Sequence, residues 1–325
     1  MKIVAFEVRN DELNEFEVMK NKYGLTIKTI PDVLTAENIK EVDGYDAISI
    51  LGRSIMKKEM LDLLKNKNIK YIATRTIGCD HIDLEYAERI GIKVCNSRYE
   101  PNGVADFTVM LMLLTIRKYK PVLWRQNVND YSLSGLMGKE MRNLTVGIMG
   151  TGRIGAMVIK ELSGFGCEIL AYDIYHDKEV EKFAKYVDID TLYKRCDMIS
   201  IHMPLLVSTR NIINDNAISK MKDGVILINS ARGELMDMQA IIKNVESEKI
   251  GAVGLDVFEN EEFIYHINRK TDIIKNRDMA YLRQFPNVVM TPHMAFYTDL
   301  GIKGMVDCAI EGILKFKELE RKGKL

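Results

Sequence analysis

The chain has 325 residues, 46 Lys plus Arg against 46 Asp plus Glu, no formal net charge and 47% hydrophobic residues. This length is sufficient for two domains with separate cores, and the balanced charge argues against nucleic-acid or anionic-membrane binding. No apolar run reaches the ~18–20 residues of a bilayer span. Five cysteines without a CxxC pair, and an N-terminus without a secretory pattern, predict a cytoplasmic protein with reduced thiols and no metal site.

The first 97 residues alternate between strand-like and helix-like segments. Strands are predicted over Lys2–Val8, Ile27–Ile30, Ala47–Leu51, Lys70–Thr74 and Lys93–Asn96. Helices are predicted over Asp11–Lys22, Met56–Lys65 and Asp83–Ile90. This alternation predicts a parallel sheet covered by helices. Because no glycine-rich turn follows the first strand, we do not expect this module to bind a nucleotide.

A candidate domain boundary follows at residues 96–103, where Pro101 disfavours helix at the preceding residue. A long apolar helix is predicted from Asn102 to about Lys118. Residues 119–143 are more polar and include Trp124, and we expect them to take part in a subunit contact.

Residues 144–173 have the pattern of a dinucleotide-binding unit. A strand over Val146–Met149 leads into the glycine turn, a helix follows, and a strand over Glu168–Tyr172 ends at Asp173. Gly150 permits a tight turn, Gly152 allows close approach of a pyrophosphate, and Gly155 lets the helix lie near the sheet. The helix N-terminus offers N–H groups to the phosphates.

Asp173 stands where an acid can accept hydrogen bonds from the adenosine ribose hydroxyls. Its charge would repel a 2′-phosphate, and the next residues, Ile174 and Tyr175, provide no arginine to bind one. We therefore predict NAD as the cofactor rather than NADP.

Three later strand ends provide polar residues that suit acid–base chemistry. Arg232 follows the predicted strand Val225–Asn229 and could bind a carboxylate through two hydrogen bonds. His293 follows Val288–Thr291 and is a candidate acid–base group near neutral pH. A third strand end is followed by several acids that could fix the histidine tautomer; Glu259, Glu261 and Glu262 are alternatives that spacing alone does not separate. Together these residues suggest reduction of a 2-keto acid by NADH.

Several segments in combination resemble the NAD-dependent D-2-hydroxyacid dehydrogenases, in particular the branch of D-lactate and D-2-hydroxyisocaproate dehydrogenases. The resemblance rests on residues 71–83, 98–102, 150–155, 230–233, 256–261 and 291–298. It implies an α/β fold of two doubly wound parallel-sheet domains. A central Rossmann NAD-binding domain, residues 99–296, would be inserted in a discontinuous flavodoxin-like substrate domain, residues 1–98 and 297–325. It also implies closure on a hinge and a homodimer formed through the NAD domain.

The resemblance also implies a role for individual residues. Arg232 would bind the substrate carboxylate, His293 would donate the proton, and Glu261 would be the carboxylate partner of His293. Substrate would be bound by Leu51, Ile77, Gly78, Tyr99 and Phe296. The cofactor would be bound by Gly150, Gly152, Arg153, Ile154, Gly155, Asp173, Met203, Pro204, Thr209, Ser230, Ala231 and Asp256.

Two departures from the family pattern leave the substrate open. Glu100 replaces the usual serine at the hinge, and Leu51 lies where lactate enzymes often have a tyrosine that narrows the pocket. The expected reaction is reversible reduction of pyruvate to D-lactate, or of a larger 2-keto acid such as 4-methyl-2-oxopentanoate or phenylpyruvate. Arg53 or Arg98 could instead bind a second carboxylate, as in the similar R-2-hydroxyglutarate dehydrogenase. A non-catalytic NAD-sensing protein similar to the corepressors is a further alternative.

Overall fold

The computed structural model describes residues 1–262 and 264–324. The chain divides into two compact units, Met1–Glu100 with Tyr297–Leu325, and Pro101–Phe296. We call them unit 1 and unit 2. Leu325, the last residue of the predicted substrate domain, lies outside the described residues.

The strands of the two units are all short, and most are joined by helices. The strands are β1 (Lys2–Ala5), β2 (Thr26–Thr29), β3 (Ala47–Ile50), β4 (Tyr71–Thr74), β5 (Lys93–Asn96), β6 (Thr145–Met149), β7 (Glu168–Tyr172), β8 (Lys185–Tyr186), β9 (Met198–Ile201), β10 (Val225–Asn229), β11 (Ile250–Leu255) and β12 (Val288–Met290). The helices are α1 (Leu13–Tyr23), α2 (Lys58–Asn66), α3 (Leu84–Arg89), α4 (Asn102–Ile116), α5 (Tyr119–Gln126), α6 (Arg153–Leu162), α7 (Ile189–Arg195), α8 (Asp215–Ser219), α9 (Met238–Glu246), α10 (Arg277–Leu282) and α11 (Asp299–Arg321).

Unit 1 is a five-stranded parallel sheet in the order β2-β1-β3-β4-β5. Every residue of β3 and β4 is buried, because helices cover both faces of the sheet. Side chains of α11, among them Val306 and Ile310, pack against Ile3 and Ala73 on one face. Leu61 and Leu64 of α2 belong to the cluster on the other face.

Unit 2 is a seven-stranded parallel sheet in the order β12-β11-β10-β9-β6-β7-β8. Strand order reverses at the β6/β9 pair, as in dinucleotide-binding sheets. Helices α4 and α6 pack on one face, and α7 and α9 on the other. None of the described helices combines the length and apolar character that a membrane span requires.

The predicted fold class is confirmed, and the local differences have physical causes. β1 ends at Ala5 rather than Val8, because Glu7 has a left-handed φ of 56°. The helix predicted to reach Lys118 ends at Ile116, and Lys118, with φ 51°, separates it from α5. The sequence analysis did not predict α5, which lies in the polar segment, or β8, which has two residues.

Candidate active site

The turn after β6 requires glycine at two positions. Gly150 has φ +93°, and a Cβ there would lie 2.6 Å from the carbonyl oxygen of His202. A Cβ on Gly155 would lie 2.0 Å from the carbonyl oxygen of Gly150. At Gly152, the N-cap of α6, a Cβ would meet no atom of the described residues within 4 Å. The space before the first turn of α6, which begins with Arg153 and Ile154, is therefore open to an anionic group.

Asp173 is held beside this turn by backbone and side-chain donors. Its Oδ2 accepts hydrogen bonds from the Thr151 amide at 2.6 Å and the Thr151 hydroxyl at 3.2 Å, and its Oδ1 accepts one from the Tyr175 amide at 3.0 Å. Burial raises the pKa of Asp173, but these hydrogen bonds outweigh burial and hold that pKa below its ordinary value. The side chain is therefore a carboxylate at neutral pH.

The loop after β9 is closed by Thr209. Its buried hydroxyl donates to the Pro204 carbonyl at 2.7 Å and accepts from the Leu206 amide at 2.8 Å. Met203, at the start of this loop, packs against the core of unit 2. His202 bonds the Ser200 hydroxyl through Nε2 at 2.9 Å, and burial lowers its pKa to about 4. His202 is therefore neutral at physiological pH and is a structural histidine.

The turn after β10 positions Arg232. The buried Asn229 accepts a hydrogen bond from the Ala231 amide at 3.0 Å and donates one to the Arg232 carbonyl at 2.8 Å. At Gly233 a Cβ would lie 2.3 Å from the Glu259 amide nitrogen, so the loop after β11 lies directly against this turn. Close packing at Gly233 thus brings the Arg232 turn and the acidic loop together. Ser230 is fixed separately, by a 2.8 Å bond between its hydroxyl and that of Thr108.

Glu261 and His293 form a hydrogen-bonded pair. The Oε1 atom of Glu261 bonds His293 Nδ1, while its Oε2 accepts from the Phe258 amide at 2.5 Å. Because Nδ1 is engaged, Nε2 is the nitrogen of His293 through which a proton can be exchanged with a ligand. The His293 side chain is 32% exposed and Glu261 16%, so the pair is partly shielded from water but reachable.

Asp256 fixes the turn that contains His293. Its fully buried carboxylate accepts from the Thr291 hydroxyl at 2.7 Å and from the Met294 and Ala295 amides, both at 2.9 Å. Its carbonyl oxygen accepts from the His293 amide at 2.7 Å. These bonds hold His293 in the left-handed region, at φ 50°. The resemblance implied that Asp256 binds the cofactor; the structure adds this positioning role.

Two aromatic side chains lie beside His293, one bonded to its backbone and the other near its ring. His266 donates from Nε2 to the His293 carbonyl at 2.9 Å, because a carbonyl can only accept. The Phe296 ring lies edge-on to the His293 ring, with centroids 6.3 Å apart. His266 was given no role from the sequence, because no local motif distinguishes it.

The other predicted substrate residues belong to unit 1 and follow neighbouring strands. Leu51 follows β3, and the loop with Ile77 and Gly78 follows β4. This loop is braced by Asn96 Nδ2, which donates to the Ile77 carbonyl at 2.6 Å, and by the Thr76 hydroxyl, which donates to the Gly78 carbonyl at 2.7 Å. Tyr99 is buried, and a Cβ on Gly304 of α11 would lie 2.5 Å from its Cβ.

The comparison with known families decides the identity. The model for the D-isomer-specific 2-hydroxyacid dehydrogenase NAD-binding domain matches residues 109–295. The chain belongs to the D-isomer-specific 2-hydroxyacid dehydrogenases. It is 42% identical to an aromatic 2-oxoacid reductase of Clostridium sporogenes, over 99% of this chain and 97% of that protein. It is 37% identical to a D-specific alpha-keto acid dehydrogenase of Enterococcus faecalis, over 98% and 97% of the two chains.

Solved structures of the family have the same fold as this dehydrogenase. A D-2-hydroxyisocaproate dehydrogenase matches with a TM-score of 0.87 and 31% identity, covering 100% of this chain and 98% of the other. D-lactate dehydrogenase from Aquifex aeolicus, complexed with NAD and lactic acid, matches with a TM-score of 0.88 and 30% identity, over 99% and 96% of the chains.

The protein is thus an NAD-dependent D-2-hydroxyacid dehydrogenase, and its residues fit that cofactor. The glycine turn has no room for a side chain at positions 150 and 155. The carboxylate of Asp173 suits ribose hydroxyls and disfavours a 2′-phosphate. The other cofactor contacts named from the sequence stay predictions for individual residues.

Arg53, Arg98 and Glu100, the charged residues whose contact with substrate the sequence did not decide, differ in their surroundings. Arg53 Nε lies 3.6 Å from the buried carboxylate of Glu7. Arg98 and Glu100 are exposed in unit 1. Glu7 was missed by the sequence analysis, because its pairing with Arg53 joins segments that follow two different strands.

Proposed function

We propose that this dehydrogenase reduces 2-oxo acids with large uncharged side chains to the (R)-2-hydroxy acids. Phenylpyruvate and 4-methyl-2-oxopentanoate represent this class, with pyruvate as a smaller substrate. The observation on which the chemistry depends is the bonded pair of Glu261 and His293, in which Glu261 belongs to the loop packed against the Arg232 turn.

In this proposal each of the three side chains has one task. Arg232 binds the substrate carboxylate through its planar guanidinium, which fixes the neighbouring keto group. Protonated His293 donates from Nε2 to the keto oxygen, as a general acid. Glu261 keeps the Nδ1 proton hydrogen-bonded, so the ring retains its orientation and its charge is balanced before the transfer. Bound NADH supplies the hydride.

The choice of a large uncharged side chain is supported by unit 1 and by the relatives. Leu51, an aliphatic residue, follows β3 at the carboxyl edge of the sheet, where α/β sheets bind ligands. Arg53 is already paired with Glu7, which argues against capture of a second substrate carboxylate. The similar Clostridium sporogenes protein is named for aromatic 2-oxo acids, and a similar solved structure for 2-hydroxyisocaproate.

A substrate panel tests the proposal. We would measure kcat/KM from the loss of NADH absorbance with pyruvate, 4-methyl-2-oxopentanoate, phenylpyruvate and 2-oxoglutarate. The two large uncharged acids should exceed 2-oxoglutarate by about tenfold or more, since a pocket for apolar groups rejects a buried charge. A preference for 2-oxoglutarate would favour an R-2-hydroxyglutarate dehydrogenase. Absence of turnover on all four acids would favour an NAD-sensing binding protein.

We also propose that the protein forms a homodimer through unit 2. Four apolar residues within the segment 128–137 are largely exposed: Val128 is 74% exposed, Tyr131 72%, Leu133 83% and Met137 87%. A concentration of exposed apolar groups is typical of an interface. Light scattering after size exclusion should give twice the chain mass of 37.2 kDa. Leu133→Glu with Met137→Glu should shift that mass towards the monomer, and a monomeric unmodified protein would contradict the proposal.

A further inference from the structure

The sheet of unit 1 has its topological switch point between β1 and β3. From β1 the chain proceeds to β2 on one side, and β3 continues to β4 and β5 on the other. In open α/β sheets the crevice at the carboxyl ends of such a strand pair is where ligands bind. Here that crevice is bordered by the segment after β1, which contains Glu7, and by residues 51–54 after β3.

Glu7 holds the loop after β3 in place. It is 3% exposed and has a left-handed φ of 56°, which is uncommon for a residue with a side chain. Its Oε1 accepts from the amides of Leu51 at 3.1 Å and Ser54 at 3.0 Å, and its Oε2 accepts from the Arg53 amide at 3.1 Å. One carboxylate thus binds three backbone N–H groups of a four-residue loop.

The same carboxylate neutralises the cation of that loop. The side chain of Arg53 is 40% exposed, whereas that of Glu7 is 2% exposed, and Arg53 Nε lies 3.6 Å from Glu7 Oε2. The guanidinium therefore reaches solvent at the switch point while its countercharge lies beneath it. Together the Glu7 carboxylate and the Arg53 guanidinium have no net charge with which to attract an anionic ligand.

Other cations near this crevice are engaged elsewhere. Arg9, two positions after Glu7, has its Nε 3.1 Å from Asp11 Oδ1. Arg75 is fully buried and donates from Nε to Glu12 at 2.8 Å and from Nη1 to the Ser49 hydroxyl at 3.0 Å. Its Nη2 donates to the carbonyls of Phe6 at 2.8 Å and Glu7 at 3.2 Å. Arg75 thus supports the backbone at Glu7 and is not exposed to a ligand, whereas the side chain of Arg53 is 40% exposed and could meet a ligand at this crevice.

We infer that Glu7 is a specificity-determining residue. By neutralising Arg53 and fixing residues 51–54, its carboxylate makes the crevice reject 2-oxo acids that have a second carboxylate. This inference deepens the proposed function and rests on it. It assigns the discrimination to a buried residue that acts through Arg53 and does not require Glu7 to touch the substrate.

Glu7→Gln tests the inference because it removes the charge and nearly preserves the shape. An amide oxygen in place of Oε1 still accepts from Leu51 and Ser54. Selectivity is best measured with two pairs of acids of similar shape that differ in charge: oxaloacetate against 4-methyl-2-oxopentanoate, and 2-oxoglutarate against 5-methyl-2-oxohexanoate. The ratio of kcat/KM for the charged to the uncharged member should rise by about tenfold, mainly through KM for the charged acid. Added salt should reduce this gain, because exposed charges are screened.

Arg53 variants separate charge from loop shape. Arg53→Gln leaves the carboxylate of Glu7 without its cation and should lower the ratio by several-fold, in the direction opposite to Glu7→Gln. The double variant should return the ratio close to that of the unmodified protein. Glu41→Gln, which removes the carboxylate paired with Lys28 at 2.6 Å on the surface of unit 1, is the matched control and should not alter the ratio.

Each outcome decides the inference. Opposite shifts in the single variants that cancel in the double variant would support it. An unchanged ratio in Glu7→Gln, or a gain that persists without Arg53, would overturn it while the proposed function stands. If Glu7→Gln fails to fold, an unchanged ratio in Arg53→Gln would overturn the inference, because Arg53 is the charge through which Glu7 acts. An unmodified protein that reduces neither uncharged acid would overturn the proposed function and the inference together.

Discussion

In both units charged residues follow the carboxyl ends of the strands, but the two units differ in how far those residues are buried. In unit 1, Arg75 and Glu12 are both 0% exposed and bind each other and the backbone. In unit 2, His293 is 32% exposed and bonds Glu261, and one ring nitrogen is directed away from that bond. A charge that is paired and fully buried fixes a shape, whereas a charge that is paired on one side and accessible on the other can act on a ligand.

This difference gives separate expectations for stability and rate. Replacing a buried ion-pair partner leaves an uncompensated charge in a poorly solvated site, which costs stability. Replacing an accessible acid–base group such as His293 leaves the carboxylate of Glu261 partly exposed to solvent and bonded to the Phe258 amide, so the main effect should be on turnover. The glutamate pairs show the same contrast, since Glu7 is saturated by three amides and an arginine while Glu261 accepts one amide and the histidine.

The largest expected effect is that of His293→Ala on turnover. The variant should lower kcat by about 10²–10⁴, because the group that protonates the keto oxygen is lost. NADH binding, measured by fluorescence titration, and the melting temperature should change little. An unchanged kcat would remove His293 from the mechanism, and a large loss of melting temperature would place this residue with the buried pairs of unit 1.

Arg75→Met should lower the stability of the fold. Glu12 would remain buried without its partner, and the loss should be about 3–5 kcal/mol in the free energy of unfolding. Denaturant titration gives this value. Adding Glu12→Gln removes the stranded charge and should recover part of the loss. A cost below about 1 kcal/mol would show that water reaches the pair, and the contrast between the two sheets would then fail.

The sequence could reveal the parts of the site that depend on local geometry. The glycine turn and Asp173 lie within one strand–helix–strand unit, so spacing along the chain reflects spacing in the fold. The strand ends of unit 2 were likewise visible, since apolar runs such as Val225–Asn229 are buried on both faces. These features led to the fold class and the family, both of which the structure and the comparisons confirm.

Contacts between distant segments were beyond such reasoning. Composition and spacing did not separate Glu259, Glu261 and Glu262; in the structure Glu261 bonds His293, whereas Glu259 lies 3.3 Å from Arg210. Nor does any local pattern signal that Asn229 braces the Arg232 turn. Such pairings depend on the order of the strands in the sheet, and this order cannot be read from a single sequence. The catalytic roles of these residues stay predictions until variants are measured.

The smallest expected effect concerns cofactor choice and Asp173. Asp173→Ala should raise the ratio of kcat/KM with NADPH to that with NADH by about tenfold, because a carboxylate that repels a 2′-phosphate is removed. Asp177→Asn, an exposed acid four positions away, is the control and should leave the ratio unchanged. Since hydrogen bonds keep the pKa of Asp173 below its ordinary value, the side chain is a carboxylate at neutral pH, and the ratio is best measured at about pH 7.5, where a phosphate monoester is also largely ionised. An unchanged ratio in Asp173→Ala would mean that a group other than Asp173 sets the preference.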